Sequence, residues 1–259
     1  MFPTLFVAHG APSLVLEDND YTRQLKALGE TQFAKPKAVI IFSAHWITKR
    51  PTLSIADPYE TIHDFSHFPS ILSKMRYPAS TDVGTARRVE ELFGQNGIPF
   101  DIDIHRGLDH GAWVVLQFMY PAADIPVVSM SVTPSWQPRE LYQIGHALAR
   151  LREEGILIIA SGGTVHNLTR LDWQATQTEP WAREFDLWLE ERLSHWDLSS
   201  LYRYDALAPH AQLAVPPGQN EHFVPIFYTM GASTDTPKAT LRHRSYQYGH
   251  LSHSIWQFG

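Results

Sequence analysis

Short apolar runs and longer amphipathic stretches alternate along the chain. The short runs are rich in β-branched residues and predict six β-strands, at residues 4–8, 37–42, 52–56, 100–105, 125–132 and 155–160. Between them, apolar residues that recur every three or four positions predict helices at residues 80–97, 138–154 and 179–196. Because strands alternate with helices, we expect an α/β fold: one domain over residues 1–259, with a mixed or mostly parallel central sheet flanked by helices.

The composition narrows the class of protein. Apolar residues make up 44% and charged residues 19% of the 259 residues, as in a globular domain. The net charge is −6 and no basic cluster stands out, so we expect no nucleic-acid partner. There is no cysteine, which excludes disulfides, iron–sulfur clusters and thiolate zinc sites. No apolar run approaches the ~18 residues of a membrane span, and the first residues do not resemble a signal peptide, so we expect no membrane partner and a cytoplasmic location.

Five of the fourteen histidines occupy positions that suggest chemistry. His9, His45 and His166 each follow a predicted strand, and the carboxyl ends of parallel strands form the binding crevice of open α/β sheets. His222 follows a long loop predicted at residues 206–218, and His110 lies beside a glycine. Histidine is the commonest metal ligand and the usual acid–base group near neutral pH. The positions of these histidines by themselves fit two interpretations. One is a metal site at the strand carboxyl ends, and the other is a set of ordinary hydrogen-bonding histidines.

Other candidate groups receive simpler interpretations. His146 and His195 fall in helical patterns and are interpreted as structural, whereas His243, His250 and His253 are expected in a solvated C-terminal tail. Phosphate-loop, HExxH and GxSxG motifs are absent. Candidate nucleophiles beside a histidine, without an oxyanion motif to support them, are Ser43, Ser129 and Ser161.

Six motifs, in this order, resemble those of the DOPA-type extradiol ring-cleaving dioxygenases, a family related to the β subunit of protocatechuate 4,5-dioxygenase. They are HGAPSL (9–14), SAHW (43–46), DFSHFP (64–69), GLDHGAW (107–113), SGGTVHNL (161–168) and NEHFVPIFYTMGA (220–232). The sequence departs from the pattern at His67, where the family usually has glycine. It also has His222 where the protocatechuate enzymes use a glutamate ligand, although Glu221 is adjacent.

The resemblance implies one divalent metal per chain, Zn²⁺ or Fe²⁺, with Fe²⁺ expected for ring cleavage. It implies His9, His45 and His222 as metal ligands, and His166 as the catalytic acid–base or as a fourth ligand when zinc is bound. His110 corresponds to a catalytic histidine that contacts the substrate or supports the site. The aromatic candidates for a pocket wall are Trp46, Phe65, Phe68 and Trp113.

The implied reaction is cleavage of the ring of a DOPA-like catechol by O₂. The expected partners are therefore a small aromatic diol and O₂, with the oligomeric state open. Three alternatives remain at this point. The same histidines suit a zinc hydrolase with Glu221 or His166 as its base, a metal-inserting enzyme of the chelatase type, or a non-catalytic metal-binding protein.

Overall fold

A computed structural model describes residues 1–33 and 35–259. Over these residues the chain forms eight strands: β1 (Thr4–Ala8), β2 (Ala38–Ile47), β3 (Thr52–Ser54), β4 (Asp101–Asp103), β5 (Val127–Val132), β6 (Ile156–Gly162), β7 (Ala239–Gln247) and β8 (Leu251–Phe258). The helices of the same residues are α1 (Asp20–Glu30), α2 (Val83–Gln95), α3 (His110–Met119), α4 (Pro138–Ala147), α5 (Pro180–Ser194), α6 (Leu198–Leu201), α7 (Tyr204–Leu207), α8 (Ala211–Ala214) and α9 (Ile226–Ala232). In this part of the chain, none of them has both the length and the apolar character needed to cross a bilayer.

The strands form one mixed sheet in the order β4-β3-β5-β2-β6-β1-β8-β7. Its centre is parallel, because β2 pairs in parallel with β5 and β6, and β6 pairs in parallel with β1. Antiparallel pairs lie toward the edges, at β3–β5, β1–β8 and β7–β8. The predicted α/β fold with a mixed or mostly parallel sheet is confirmed. Parallel central strands place several strand carboxyl ends at one edge, where the candidate histidines follow.

Both faces of the sheet are covered. Successive residues of β2 point to opposite sides, so Ile40 packs into one core and Ile41 into the other. The first core contains apolar residues of α2, α4, α5 and α9, and the second contains those of α1 and α3. This double burial explains why the central strands read as continuous apolar runs rather than as alternating patterns.

Close packing of two helices fixes the segment that carries His222. A Cβ atom placed on Gly145 of α4 would lie 1.9 Å from the carbonyl oxygen of Tyr228 in α9. In the reverse direction, a Cβ atom on Gly231 of α9 would lie 1.9 Å from the carbonyl oxygen of Tyr142. The two backbones are therefore in contact. Since His222 lies four residues before α9, this contact anchors the chain just beyond it.

The three predicted helices are present with different ends. The helix predicted at 80–97 is shorter, because Asp82 caps α2 and accepts a hydrogen bond from the backbone N–H of Gly84. The predicted helix at 138–154 is α4 followed by a short 3-10 segment, Ala149–Arg152. The predicted loop at 206–218 contains α8. Helices α1, α3 and α9 were not predicted.

The expectation of a solvated C-terminal tail is wrong. Residues 239–258 form the β7–β8 hairpin on the sheet, in which His250 and His253 are buried and His243 is half-buried. Tyr248 and Gly249 make the turn with φ of +53° and +85°. The strongest short-range sequence signals of a hairpin are Asn-Gly and Asp-Gly, and neither occurs here, so the sequence did not indicate this hairpin.

Candidate metal centre

Three adjacent parallel strands bring three of the candidate histidines to one edge. Ser161 of β6 is paired with Val7 of β1 on one side and with Ser43 of β2 on the other. His9 comes immediately after β1, and His166 comes shortly after β6. The convergence expected from the sequence is thus found in the structure.

His45 lies inside β2 rather than beyond it. The register of β2 against β5 shifts between Ser43, which pairs with Ser131, and Ile47, which pairs with Val132. The chain therefore advances by four residues along β2 while it advances by one residue along β5, and β2 bulges at this point, which includes His45. Bulges re-aim side chains in this way, and here the bulge turns His45 toward the strand ends.

The Nε2 atoms of three histidines meet at one point. His45 Nε2 lies 3.0 Å from His9 Nε2 and 3.3 Å from His222 Nε2. Imidazole nitrogens that share one ion at bonds of about 2.0–2.1 Å lie roughly 3.0–3.4 Å apart. The spacing of the three nitrogens fits one ion of this kind, and their ligand atoms form a group within 4.8 Å of one another.

The opposite nitrogen of each ring faces an oxygen atom. His9 Nδ1 lies 2.8 Å from Ser161 Oγ, which donates its own hydrogen to the Gly111 carbonyl at 2.5 Å. The hydroxyl must therefore accept from His9 Nδ1–H. His222 Nδ1 donates to Glu221 Oε1 at 3.0 Å, and His45 Nδ1 lies 3.5 Å from Asp64 Oδ2. Such partners behind the rings select the tautomer whose Nε2 lone pair is free for a metal.

These tautomers make the cluster a poor arrangement without a cation. His9 Nε2 and His222 Nε2 carry no hydrogen, because both rings donate from Nδ1. His45 Nε2, at 3.0 and 3.3 Å from them, can donate to only one of the two, so the remaining lone pairs face one another and repel. Burial, followed by the neighbouring histidines, holds the pKa of His9 well below its usual range, so protonation does not relieve the repulsion near neutral pH. Burial lowers the pKa of His222 in the same way. The donor set therefore fits a divalent metal held by neutral imidazoles.

His110 is held beside this cluster by Asp64. It is the first residue of α3, and both its backbone N–H and its Nδ1 lie 3.0 Å from Asp64 Oδ1. Burial alone would raise the pKa of Asp64, but the hydrogen bonds and charge of His110 outweigh it and hold the pKa at about 2. The carboxylate is thus ionised and accepts from His110 Nδ1, which leaves His110 Nε2 as the free nitrogen. The ring centroid of His110 lies 3.9 Å from that of His45.

A second buried carboxylate supports the start of α3. Asp109 caps the helix, accepting from the backbone N–H of Ala112. It also accepts from Ser43 Oγ at 2.5 Å and forms an ion pair with Arg106 at 2.8 Å. Ser43 is therefore occupied in holding α3 in place, and the earlier candidate role of nucleophile does not suit it.

His166 lies on the other side of the cluster, against His222. The two rings are parallel, with 3.6 Å between centroids and 6° between planes. The ligand atoms of His166 group with those of His222 and Glu221, whereas the group of three Nε2 atoms consists of His9, His45 and His222. Burial lowers the pKa of His166 to about 4, so its ring is neutral at pH 7.

The five histidines line one cavity of about 510 Å³. Phe65 and Phe68 contribute to its wall, as expected from the sequence. Trp46 and Trp113 lie outside its lining in the described part of the chain. Arg106 stacks at 5.4 Å on the ring of Trp46, and Trp113 Nε1 donates to the Ile62 carbonyl.

Sequence reasoning missed three contributors. Asp64 lies in a motif that the sequence analysis used, but no pattern linked this carboxylate to His110. Ser161 was considered a nucleophile, whereas its hydroxyl is engaged by His9 and Gly111. His253, expected in solvent, lines the cavity. Each of these assignments depends on contacts between residues distant in sequence.

Comparisons with known proteins identify the family. The family described as the catalytic LigB subunit of aromatic ring-opening dioxygenase matches residues 3–259. The protein named 4,5-DOPA dioxygenase extradiol from Beta vulgaris is 38% identical over 258 residues, covering 98% of this chain and 96% of the relative. The protein of the same name from Escherichia coli K12 is 36% identical over 259 residues, covering 99% and 94%.

A solved structure extends the likeness to three dimensions. The crystal structure of an uncharacterized protein from Escherichia coli K12 superposes with a TM-score of 0.84 at 34% identity, covering 100% of both chains. The match of sequence, fold and family extends over the segments that carry all five histidines. The chain therefore belongs to the family of the catalytic LigB subunit of aromatic ring-opening dioxygenases, a family of metal-using, ring-cleaving enzymes.

Proposed function

We propose that the protein is an extradiol dioxygenase that uses O₂ to open the ring of a catechol, DOPA or a compound of the same diol class. The observation that carries this proposal is the group of three Nε2 atoms at the floor of a cavity that His110 and His166 also line. Relatives named 4,5-DOPA dioxygenase extradiol, similar over nearly the whole chain, support the reaction class.

His9, His45 and His222 would hold one divalent metal, Fe²⁺ or Zn²⁺. Neutral imidazoles suit either ion. Bound Fe²⁺ would supply the electron transfer between catechol and O₂ that ring cleavage requires, which Zn²⁺ does not supply. Ser161, Glu221 and Asp64 keep the three rings oriented from behind.

His166 is assigned as the base that takes a proton from a catechol hydroxyl. Its pKa, lowered by burial to about 4, leaves the ring neutral and able to accept a proton at pH 7. The same ring can return the proton to an oxygen of the opening product. A positioned acid–base group of this kind typically contributes about 10²–10⁴-fold to the rate.

His110 is assigned as a catalytic residue that orients the substrate or O₂. Asp64 fixes its ring by holding Nδ1 and the backbone N–H of the same residue. Its Nε2 is then the nitrogen available to the cavity, where it can hydrogen-bond a substrate oxygen. A ring held from two sides keeps its direction when the substrate changes charge during the reaction.

The hydrolase alternative has less support. Glu221, one of its two candidate bases, has a carboxyl oxygen 3.0 Å from His222 Nδ1, so it acts behind a ligand rather than as a free base and leaves only His166 for that role. Membership in a dioxygenase family also favours ring cleavage. The non-catalytic alternative requires a closed site, whereas the three Nε2 atoms here open onto a cavity of about 510 Å³.

Oxygen uptake tests the proposal. Protein reconstituted anaerobically with Fe²⁺ is mixed with DOPA and a panel of catechols, and zinc-loaded protein is the control. We expect the Fe²⁺-loaded protein to consume O₂ and to produce a new visible absorbance from the opened ring. We expect neither signal from the zinc-loaded protein. Absence of uptake with every catechol, although iron is bound at one per chain, would overturn the proposal.

A further inference from the structure

The cavity changes character between its floor and its mouth. At the floor, the side chains of His9 and His222 are almost fully buried. At the mouth, Leu168 and Trp173 also line the cavity but are 56% and 68% exposed. Large apolar side chains exposed beside a cavity commonly mark a surface that binds an apolar group.

The apolar mouth is built from two separate segments. Leu168, Leu171 and Trp173 follow the His166 turn, and Tyr248 and Leu251 come from the β7–β8 hairpin. The rings of Trp173 and Tyr248 pack against each other, with 4.5 Å between centroids. The hairpin that the sequence did not predict therefore completes the wall of the site.

The cavity is larger than a catechol ring requires. Its volume of about 510 Å³ falls within the roughly 300–1,000 Å³ of pockets that enclose drug-sized ligands. A diol seated on the histidine floor leaves room toward Leu168 and Trp173. A ring substituent of the substrate would occupy that room.

The lining offers little to a charged substituent. Among the described residues that line the cavity there is no lysine and no arginine. Its carboxylate, Glu221, is engaged with His222 Nδ1. His253, also in the lining, is neutral at pH 7 because burial lowers its pKa to about 4. A buried carboxylate on the substrate would have no cationic partner there, and burying an unpaired charge is costly.

We propose that the preferred substrate is a catechol with an uncharged apolar or aromatic substituent, which packs against Leu168, Leu171 and Trp173. This inference rests on the proposed function and narrows it within the catechol class. An apolar substituent gains from leaving water against these side chains. The carboxylate and ammonium of an amino acid must instead stay hydrated at the mouth, where they keep water on the same apolar surface.

A matched series of catechols isolates the effect of charge. 4-Propylcatechol, 3-(3,4-dihydroxyphenyl)propanoate and DOPA share a three-carbon side chain and differ in its charged groups: none, one carboxylate, and one carboxylate with one ammonium. We expect 4-propylcatechol to bind Zn²⁺-loaded protein about tenfold or more tightly than the other two in anaerobic calorimetry. The same order is expected for kcat/KM of the Fe²⁺-loaded protein in oxygen uptake.

Substitutions at the cavity mouth test whether its side chains cause the preference for an uncharged substituent. Leu168→Arg places a cation in the lining and is expected to strengthen binding of the propanoate and weaken that of 4-propylcatechol. Leu187→Arg is the control, because Leu187 is an exposed leucine on α5 outside the cavity lining. Trp173→Ala should weaken binding of 4-propylcatechol by a larger factor than binding of unsubstituted catechol.

The outcomes separate this inference from the proposed function. If DOPA or the propanoate binds as tightly as 4-propylcatechol, or if Leu168→Arg and Leu187→Arg behave alike, the inference is overturned while ring cleavage stands. If no catechol consumes O₂, the proposed function fails, and the calorimetric order still decides whether the mouth prefers uncharged substituents.

Discussion

The ring of His166 lies parallel to the ring of His222, with 3.6 Å between centroids and 6° between planes. The lone pair of an imidazole nitrogen lies in the plane of its ring. Two parallel rings stacked in contact therefore cannot both direct a lone pair at the same ion. Because His222 Nε2 points at His45 Nε2 in the three-histidine group, the stack favours the role of a base for His166 over that of a fourth ligand.

His45→Ala and His166→Ala should consequently separate metal binding from turnover. We expect His45→Ala to lose stoichiometric metal, since one of three ligand nitrogens is removed. His166→Ala should keep the metal and lose turnover by about 10²–10⁴-fold. Elemental analysis and oxygen uptake measure the two effects. Full metal occupancy in His45→Ala would refute the ligand assignment, and metal loss in His166→Ala would restore the fourth-ligand alternative.

Ser161→Ala should weaken metal binding although the hydroxyl is not a ligand. Its Oγ accepts from His9 Nδ1 at 2.8 Å, and loss of such a partner typically costs roughly 10–100-fold in metal affinity. Competition with a chelator measures the affinity. Ser129→Ala, at an equally buried serine of β5 outside the cavity lining, is the matched control. Equal affinities in the two variants would contradict a supporting role for Ser161.

Gly162→Ala should damage both stability and metal binding. A Cβ atom at this position would lie 2.1 Å from the carbonyl oxygen of His222, a backbone atom that cannot yield without moving the ligand. Overpacking of this kind costs about 1–3 kcal/mol. Gly94→Ala is the control, because among the described residues no heavy atom beyond its chain neighbours and the adjacent backbone of its own helix lies within 4 Å of a Cβ there. Urea unfolding should show lower stability, and elemental analysis should show less bound metal, in Gly162→Ala but not in Gly94→Ala.

Stability of the metal-free protein should fall as the pH drops from about 6.5 toward 4. Burial lowers the folded-state pKa of His166 and His253 to about 4, whereas unfolded histidine titrates near 6.5. Between these values the unfolded chain binds more protons, at about 1.4 kcal/mol per pH unit for each histidine. Asp64 and Asp197, whose pKa values lie near 2, reduce the free energy of unfolding only at lower pH, where unfolded aspartate takes up protons.

Urea unfolding in a chelator at pH 7 and pH 5 tests this pH dependence. His253→Gln should reduce the slope, whereas substitution of the exposed His105 to glutamine should leave it intact. An unfolding free energy that is equal at the two pH values would show that the buried histidines do not control acid stability.

The sequence by itself determined the class of fold and most of the candidate site. Apolar runs broken by amphipathic stretches predicted an α/β sheet because buried parallel strands need apolar residues on both faces. Histidines placed just after such strands predicted a common edge, because the carboxyl ends of parallel strands meet there. His110 and His222, which follow no predicted strand, entered the candidate site through the family motifs.

Tertiary structure decided how the histidines are used. Asp64 reaches His110 across 46 residues of sequence, and Ser161 reaches His9 across 152. Such contacts leave no periodic signal, because they depend on how loops from different strands pack. The same holds for His253, which lies in a polar stretch of β8 and is buried because β8 pairs with both β1 and β7. The local sequence pattern indicates which face of a strand or helix is apolar. The partner of a polar side chain is determined only when the strands and helices pack together.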